Sequence, residues 1–206
     1  MRTPSTANSN VTPIRRHGTG ARARNDAVLM RRVAAGDKTA MQLVFSHHHI
    51  AVYRFVLHRL QDKALAEDVT SDVFLDVWRQ AARFEGRSTV LTWILAIACR
   101  KAAAARPALD QLLSDRSHAE ASGRDAVTPD AIPQARNRNH ALRRCLATLS
   151  AEHREVIDLV YYQEQSIEAV AAILGIPEDT AKARMFYARR RLADALKKGG
   201  AGATSK

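Results

Sequence analysis

Apolar residues recur at helical spacing along most of the chain, and the interruptions divide it into segments. Val28, Leu29, Val33 and Ala34 open a short amphipathic period that starts at Asp26 and stops at Gly36. Asp37 can cap the next helix, which runs through Met41, Phe45, Val52, Phe55 and Val56 to about Leu60. A third period covers residues 63–84, with Val69, Val73, Val77 and Ala81 as its inward stripe and Phe74 and Trp78 beside it. Beyond a turn at 84–88, the spacing predicts a helix from about Thr89 to Ala104, holding Trp93, Ile94, Leu95, Ile97 and Ala98. The pattern breaks at Pro107. Helical period resumes near Asn139 with Leu142, Leu146 and Leu149, and Ser150 can cap a helix carrying Val156, Ile157, Val160 and Tyr161.

Residues 166–192 carry the most specific pattern. Ser166 is a good N-cap, and Glu168 puts negative charge at the positive end of the helix dipole. Val170, Ile173 and Leu174 make an apolar stripe; Gly175 can end that helix, and Pro177 fits the first turn of the next. In that next helix Ala181, Met185, Ala188 and Leu192 form a narrow inward seam, while Lys182, Phe186, Tyr187 and Arg190 occupy the opposite face. A short apolar helix, a glycine turn and a basic second helix make a helix-turn-helix, which lays its second helix in the DNA major groove. The same pattern also suits a solvated helical hairpin.

Composition narrows the reading. A formal charge of +11 and an isoelectric point near 10.3 favour a polyanionic partner, either nucleic acid or an acidic membrane surface. Scarce aromatics and modest glycine argue against a β-sandwich or barrel, so the expected fold is all-α, two small helical domains joined by a linker. The two cysteines, Cys99 and Cys145, do not make a disulfide framework, and no apolar run is long enough to insert in a membrane. Residues 1–25, basic and without an acidic side chain, read as a disordered tail; no hydrophobic stretch follows Arg15 and Arg16 as a secretory signal requires. The remaining boundaries are a first domain over 26–106, a linker over 107–137, a second domain over 138–198 and a frayed tail over 199–206.

Two features invite chemistry. His47, His48 and His49 are consecutive; helical neighbours point about 100° apart and three of them cannot converge on one ion, so no metal site is assigned and His48 or His49 is expected partly under the apolar face. Asp68, Asp72 and Asp76 succeed one another at i, i+4, with Leu75 among them. Like charges at that spacing weaken a helix by roughly 0.2–0.5 kcal/mol per pair. Such an acidic ridge fits either a solvated face or a dock for a basic partner helix. No nucleophile, base and oxyanion-donor set and no phosphate loop occurs, so neither catalysis nor a cofactor is expected.

The chain resembles the extracytoplasmic-function (ECF) group of bacterial RNA polymerase sigma factors, over about residues 26–196 in two blocks. In the second block the resemblance rests on Ser166, on Gly175-Ile176-Pro177, on Thr180-Ala181-Lys182-Ala183-Arg184, and on Leu149-Ser150 through Val156 leading into them. In the first block Ala66-Glu67-Asp68 with Asp72 and Phe74 is similar to the region 2 pattern, Ser71 standing where glutamine is usual. The 84–88 turn followed by Thr92-Trp93 is similar to the family's minus-10 loop, with Val90 in place of phenylalanine and Cys99-Arg100 where a pair ending in asparagine is common.

The resemblance implies an alternative sigma factor, a binding protein of the cytoplasm rather than an enzyme. Its partners would be core polymerase, through the clamp helices of the β′ subunit, promoter DNA and an anti-sigma factor. Asp68, Ser71, Asp72, Leu75 and Asp76 would face polymerase; Phe84, Gly86, Arg87, Ser88 and Arg100 would hold the minus-10 strand, with Trp93 mainly packing the domain. Lys182, Ala183, Phe186 and Tyr187 would lie at the minus-35 bases, and Arg184, Arg189 and Arg190 on phosphates. Two rival readings stand beside this one. A helix-turn-helix regulator that is not a polymerase subunit would need an upstream α/β sensor domain, and an anti-sigma or adaptor protein would hold polymerase without reading DNA.

Overall fold

A computed structural model describes residues 19–117, 146 and 148–200, and the described residues are helical with short connections. α1 spans Thr19–Ala34, α2 Lys38–Leu60, α3 Lys63–Gln80 and α4 Val90–Ser117; α5 spans Ala151–Ile157, α6 Ile167–Leu174 and α7 Glu178–Gly200. The boundaries follow local chemistry. Asp37 accepts from the Ala40 amide at the start of α2, and that bond, with the Arg32 guanidinium, holds its carboxyl below the usual range. Asp62, Ser150 and Ser166 cap α3, α5 and α6 in the same manner. Gly175, at φ +65°, ends α6 in the left-handed conformation that a Cβ disfavours.

Three boundaries differ from expectation. α1 begins at Thr19, within the stretch expected as a disordered tail; alanine and arginine in 21–24 are good helix formers and extend a helix that packing has already nucleated. α4 continues past Pro107 to Ser117, within the expected linker. Proline removes one helix bond at a cost of roughly 3 kcal/mol, but alanines before it and the alanine- and leucine-rich stretch Ala108–Leu113 after it favour helix on both sides. Between α5 and α6 the chain makes a π-helical turn over Asp158–Tyr162 where a regular helix was expected. Residues 1–18, the remainder of the expected linker at 118–137, Leu142, Cys145 and residues 201–206 lie outside the described residues.

α2, α3 and α4 pack mutually around Val44, Val52, Phe55, Val73, Val77, Ile94 and Leu95, and α1 closes this core with Leu29, Met30 and Val33. α5, α6 and α7 form a second cluster from Val156, Leu159, Val170, Ile173, Ala181, Met185 and Ala188. The second cluster docks on the first through α6 against α4, and buried side chains run continuously between them. Polar contacts rim the junction: His58 meets Asp158 at 2.7 Å, Gln163 donates to the Ala51 carbonyl at 3.2 Å, Thr92 donates to Gln165 at 2.8 Å, and Arg59 pairs with Glu155.

Candidate nucleic-acid interface

α7 is fixed by its seam. Ala181, Met185 and Ala188 are buried against α5 and α6 and Leu192 is half-buried, so the opposite face is turned to solvent. On that face Phe186 is 62% and Tyr187 53% exposed, their rings edge-to-face at 5.5 Å. Two exposed aromatic rings on a helix that buries none are costly to leave in water and suit contact with bases. Lys182 is held by Glu178 at 2.7 Å and Asp179 at 3.6 Å, and these acids raise its pKa. Arg189 lies over the Tyr161 ring, 5.7 Å from its centre, while Ala183 and Arg190 are exposed. Arg184 differs from its companions. It is half-buried and pairs with Glu152 of α5 at 3.2 Å, so it ties α7 to α5.

The loop at 84–88 turns on Gly86, at φ +73°. Phe84 is half-buried and packs edge-to-face on Trp93 of α4, ring centres 5.6 Å apart. Glu85, Arg87 and Ser88 are exposed; Arg87 pairs with Glu85 at 2.8 Å, and Ser88 donates to the Thr89 carbonyl. Thr89 caps α4 by accepting from the Thr92 amide at 3.1 Å. Arg100, about three turns along α4, is exposed, and Cys99 beside it is buried. The loop is thus anchored at both ends and polar at its tip.

On α3 the acidic side chains do not form one free ridge. Asp68 and Asp72 are exposed, but Asp76 and Asp72 both approach Lys101 of α4, at 3.0 and 3.7 Å. Ser71 is exposed and donates to the Glu67 carbonyl. Leu75, 51% exposed, opens into an apolar groove of about 560 Å³ between α2 and α3, lined by Lys38, Met41, Phe45, Ser71, Leu75 and Trp78. Sequence reasoning missed the α2 half of this groove. Phe45 counted there as a core residue, but Val44, His48 and Val52 set the inward stripe and leave Phe45 one position off it, 43% exposed, stacked on His49 and edge-on to Phe74.

The family models for Sigma-70 region 2 and Sigma-70, region 4 match residues 44–106 and 145–194. The ECF RNA polymerase sigma factor SigL of Mycobacterium tuberculosis (strain Erdman) is 30% identical over 166 residues, covering 77% of this chain and 90% of that protein. This chain belongs to the ECF sigma factors. SigK of Mycobacterium tuberculosis (strain H37Rv) is 29% identical over 172 residues, covering 82% of the sigma factor described here and 91% of SigK. Two solved structures share the fold. CnrH in complex with the cytosolic domain of CnrY has a TM-score of 0.60 at 21% identity, covering 84% of this chain and 97% of CnrH. The sigma factor RpoE in complex with the anti-sigma factor NepR, from Bartonella quintana, has a TM-score of 0.60 at 24% identity, covering 76% and 96%. As an alternative sigma factor the protein directs RNA polymerase in initiating transcription. In its terms, the loop, the acidic face and the groove from Phe45 onward belong to region 2, whose match begins after Lys38 and Met41, and α7 is the second helix of the region 4 helix-turn-helix.

Proposed function

We propose that this sigma factor meets core polymerase with the α2–α3 groove and the adjoining acids, holds an opened minus-10 strand at the 84–88 loop, and reads the minus-35 duplex with α7. The groove carries the polymerase assignment: Phe45 and Leu75 are large, exposed and adjacent to Asp68 and Asp72, a combination that suits an amphipathic basic helix better than it suits water. The clamp helices of the β′ subunit are the partner of that description. Acting on polymerase places its work in the cytoplasm, and among the described residues no helix is long and apolar enough to cross a membrane. It acts by binding rather than by catalysis, and an anti-sigma factor is the expected antagonist, as for the RpoE that the Bartonella structure holds with NepR.

Co-purification with core polymerase tests the assignment. Asp72→Arg with Leu75→Ala is expected to abolish it while helicity and melting temperature change little, because both positions are exposed and the Asp72 contact with Lys101, at 3.7 Å, is a long surface pair. Undiminished binding by the double variant would remove the groove and its acids from the interface.

A further inference from the structure

Away from all three surfaces, the α1–α2 contact gathers a carboxylate and two imidazoles. Asp26 of α1 is 4% exposed, unusual for an aspartate, and the nitrogens that meet it come from successive residues of α2. Its Oδ1 lies 2.9 Å from His47 Nδ1 and its Oδ2 lies 3.1 Å from His48 Nε2. Neighbouring helical residues point apart, yet these two rings reach the two oxygens of one carboxylate because His47 uses the nitrogen near its Cβ and His48 the one at its tip, with ring planes at 84°. His49 stands outside the cluster, stacked on Phe45, with its Nδ1 3.2 Å from the Phe45 carbonyl. The consecutive histidines therefore do not make a site among themselves; the third donor comes from another helix.

We propose that Asp26, His47 and His48 bind a divalent transition-metal ion of the zinc class. One donor atom from each residue lies within 4.8 Å of the other two. Donors bound tetrahedrally at the zinc–nitrogen distance of about 2.0–2.1 Å are about 3.4 Å apart; the two nitrogen–oxygen contacts, at 2.9 and 3.1 Å, fall a few tenths of an ångström short of that, and the ion would enter by spreading them and turning both rings onto it. Two imidazoles and a carboxylate suit zinc, cobalt, nickel or copper, and not calcium or magnesium, which take oxygen donors. Asp26 and His48 form the buried wall of the site, and His47, a quarter exposed at its side chain, gives the ion a way in and leaves room for water as a fourth ligand. Bound there, the ion fastens α1 to α2, so it stabilises the fold by an amount that grows with the logarithm of its free concentration above Kd.

The test uses the tag-free full chain and cobalt(II), whose visible bands report tetrahedral ligation, with zinc(II) as competitor. One equivalent of cobalt per chain is expected to give the bands, zinc to erase them, and zinc to raise the melting temperature. His47→Ala, at the open side of the site, stays folded by circular dichroism and weakens cobalt binding at least about tenfold. Asp26→Asn and His48→Gln have the same effect on the bands, and His153→Gln on α5 has none. Absence of the bands, or bands that survive His47→Ala and Asp26→Asn together, would overturn the site and leave the three residues as a buried ion pair.

Discussion

Lys182 and Arg190 share the outward face of α7 but stand two turns apart, and different chemistry follows. A lysine near the N-terminal end of a recognition helix reaches base edges, whereas an arginine further along it meets the phosphate backbone. Losing Lys182 is expected to relax preference at one minus-35 position at a cost of about 1–3 kcal/mol. Losing Arg190 should weaken all sequences alike and flatten the salt dependence by about one unit of slope. Selection on randomised duplexes separates the two; a uniform loss of affinity in Lys182→Ala would end its assignment to a base. In Arg184 the same reasoning leads elsewhere. Its bridge to Glu152 is made before DNA arrives, so Arg184→Ala is expected to lower the melting temperature slightly, by less than about 1 kcal/mol of stability, as well as to weaken binding.

Among the elements, the 84–88 loop and α4 divide their labour. Trp93 is half-buried against Phe84, so Trp93→Ala should destabilise region 2 by about 2 kcal/mol, short of the 3–5 typical of a fully buried ring. Arg100→Ala, at an exposed position, should change stability by less than about 0.5 kcal/mol yet impair promoter opening. Permanganate reactivity of thymines in the bubble reads the second effect and thermal unfolding the first; normal reactivity in Arg100→Ala would take that side chain out of the minus-10 contact. Most helices were legible because one face of each is apolar and its ends carry side chains with one job. Asp37, Ser150, Ser166 and Gly175 stand where capping chemistry puts them. Less legible were features set by tertiary partners. Nothing in the 63–84 stretch tells that Asp76 turns to Lys101, and nothing near Phe45 tells that a groove opens beside it. Pro107 misled in the opposite direction, since a local breaker was overruled by the helix formers around it.

The whole molecule poses a problem of reach. Minus-10 and minus-35 elements are about 25 base pairs apart, roughly 85 Å of helix axis at 3.4 Å per step, whereas α6 lies directly on α4. Binding a promoter through both regions therefore requires the docked arrangement to open, and the polar rim of the junction decides how readily. His58, half-exposed on α2, sits against the buried Asp158 with Tyr162 edge-on to its ring. The hydrogen bond to Asp158 raises the His58 pKa above its ordinary value, against partial burial and the repulsion of Arg54 and Arg154. A histidine whose pKa is raised in the docked state adds stability in full below its undocked pKa, about 6.5, and loses it as pH climbs through the raised value. Docking should therefore be tightest in mild acid and loosen above neutrality. Small-angle scattering of the full chain between about pH 6 and 9 is expected to show a radius of gyration that grows with pH. In His58→Gln it should stay constant across that window, and in Asp158→Asn it should be large throughout, because the variant cannot hold the imidazolium. A radius that rises equally in His58→Gln would assign the pH response to some other group and leave the junction a fixed one.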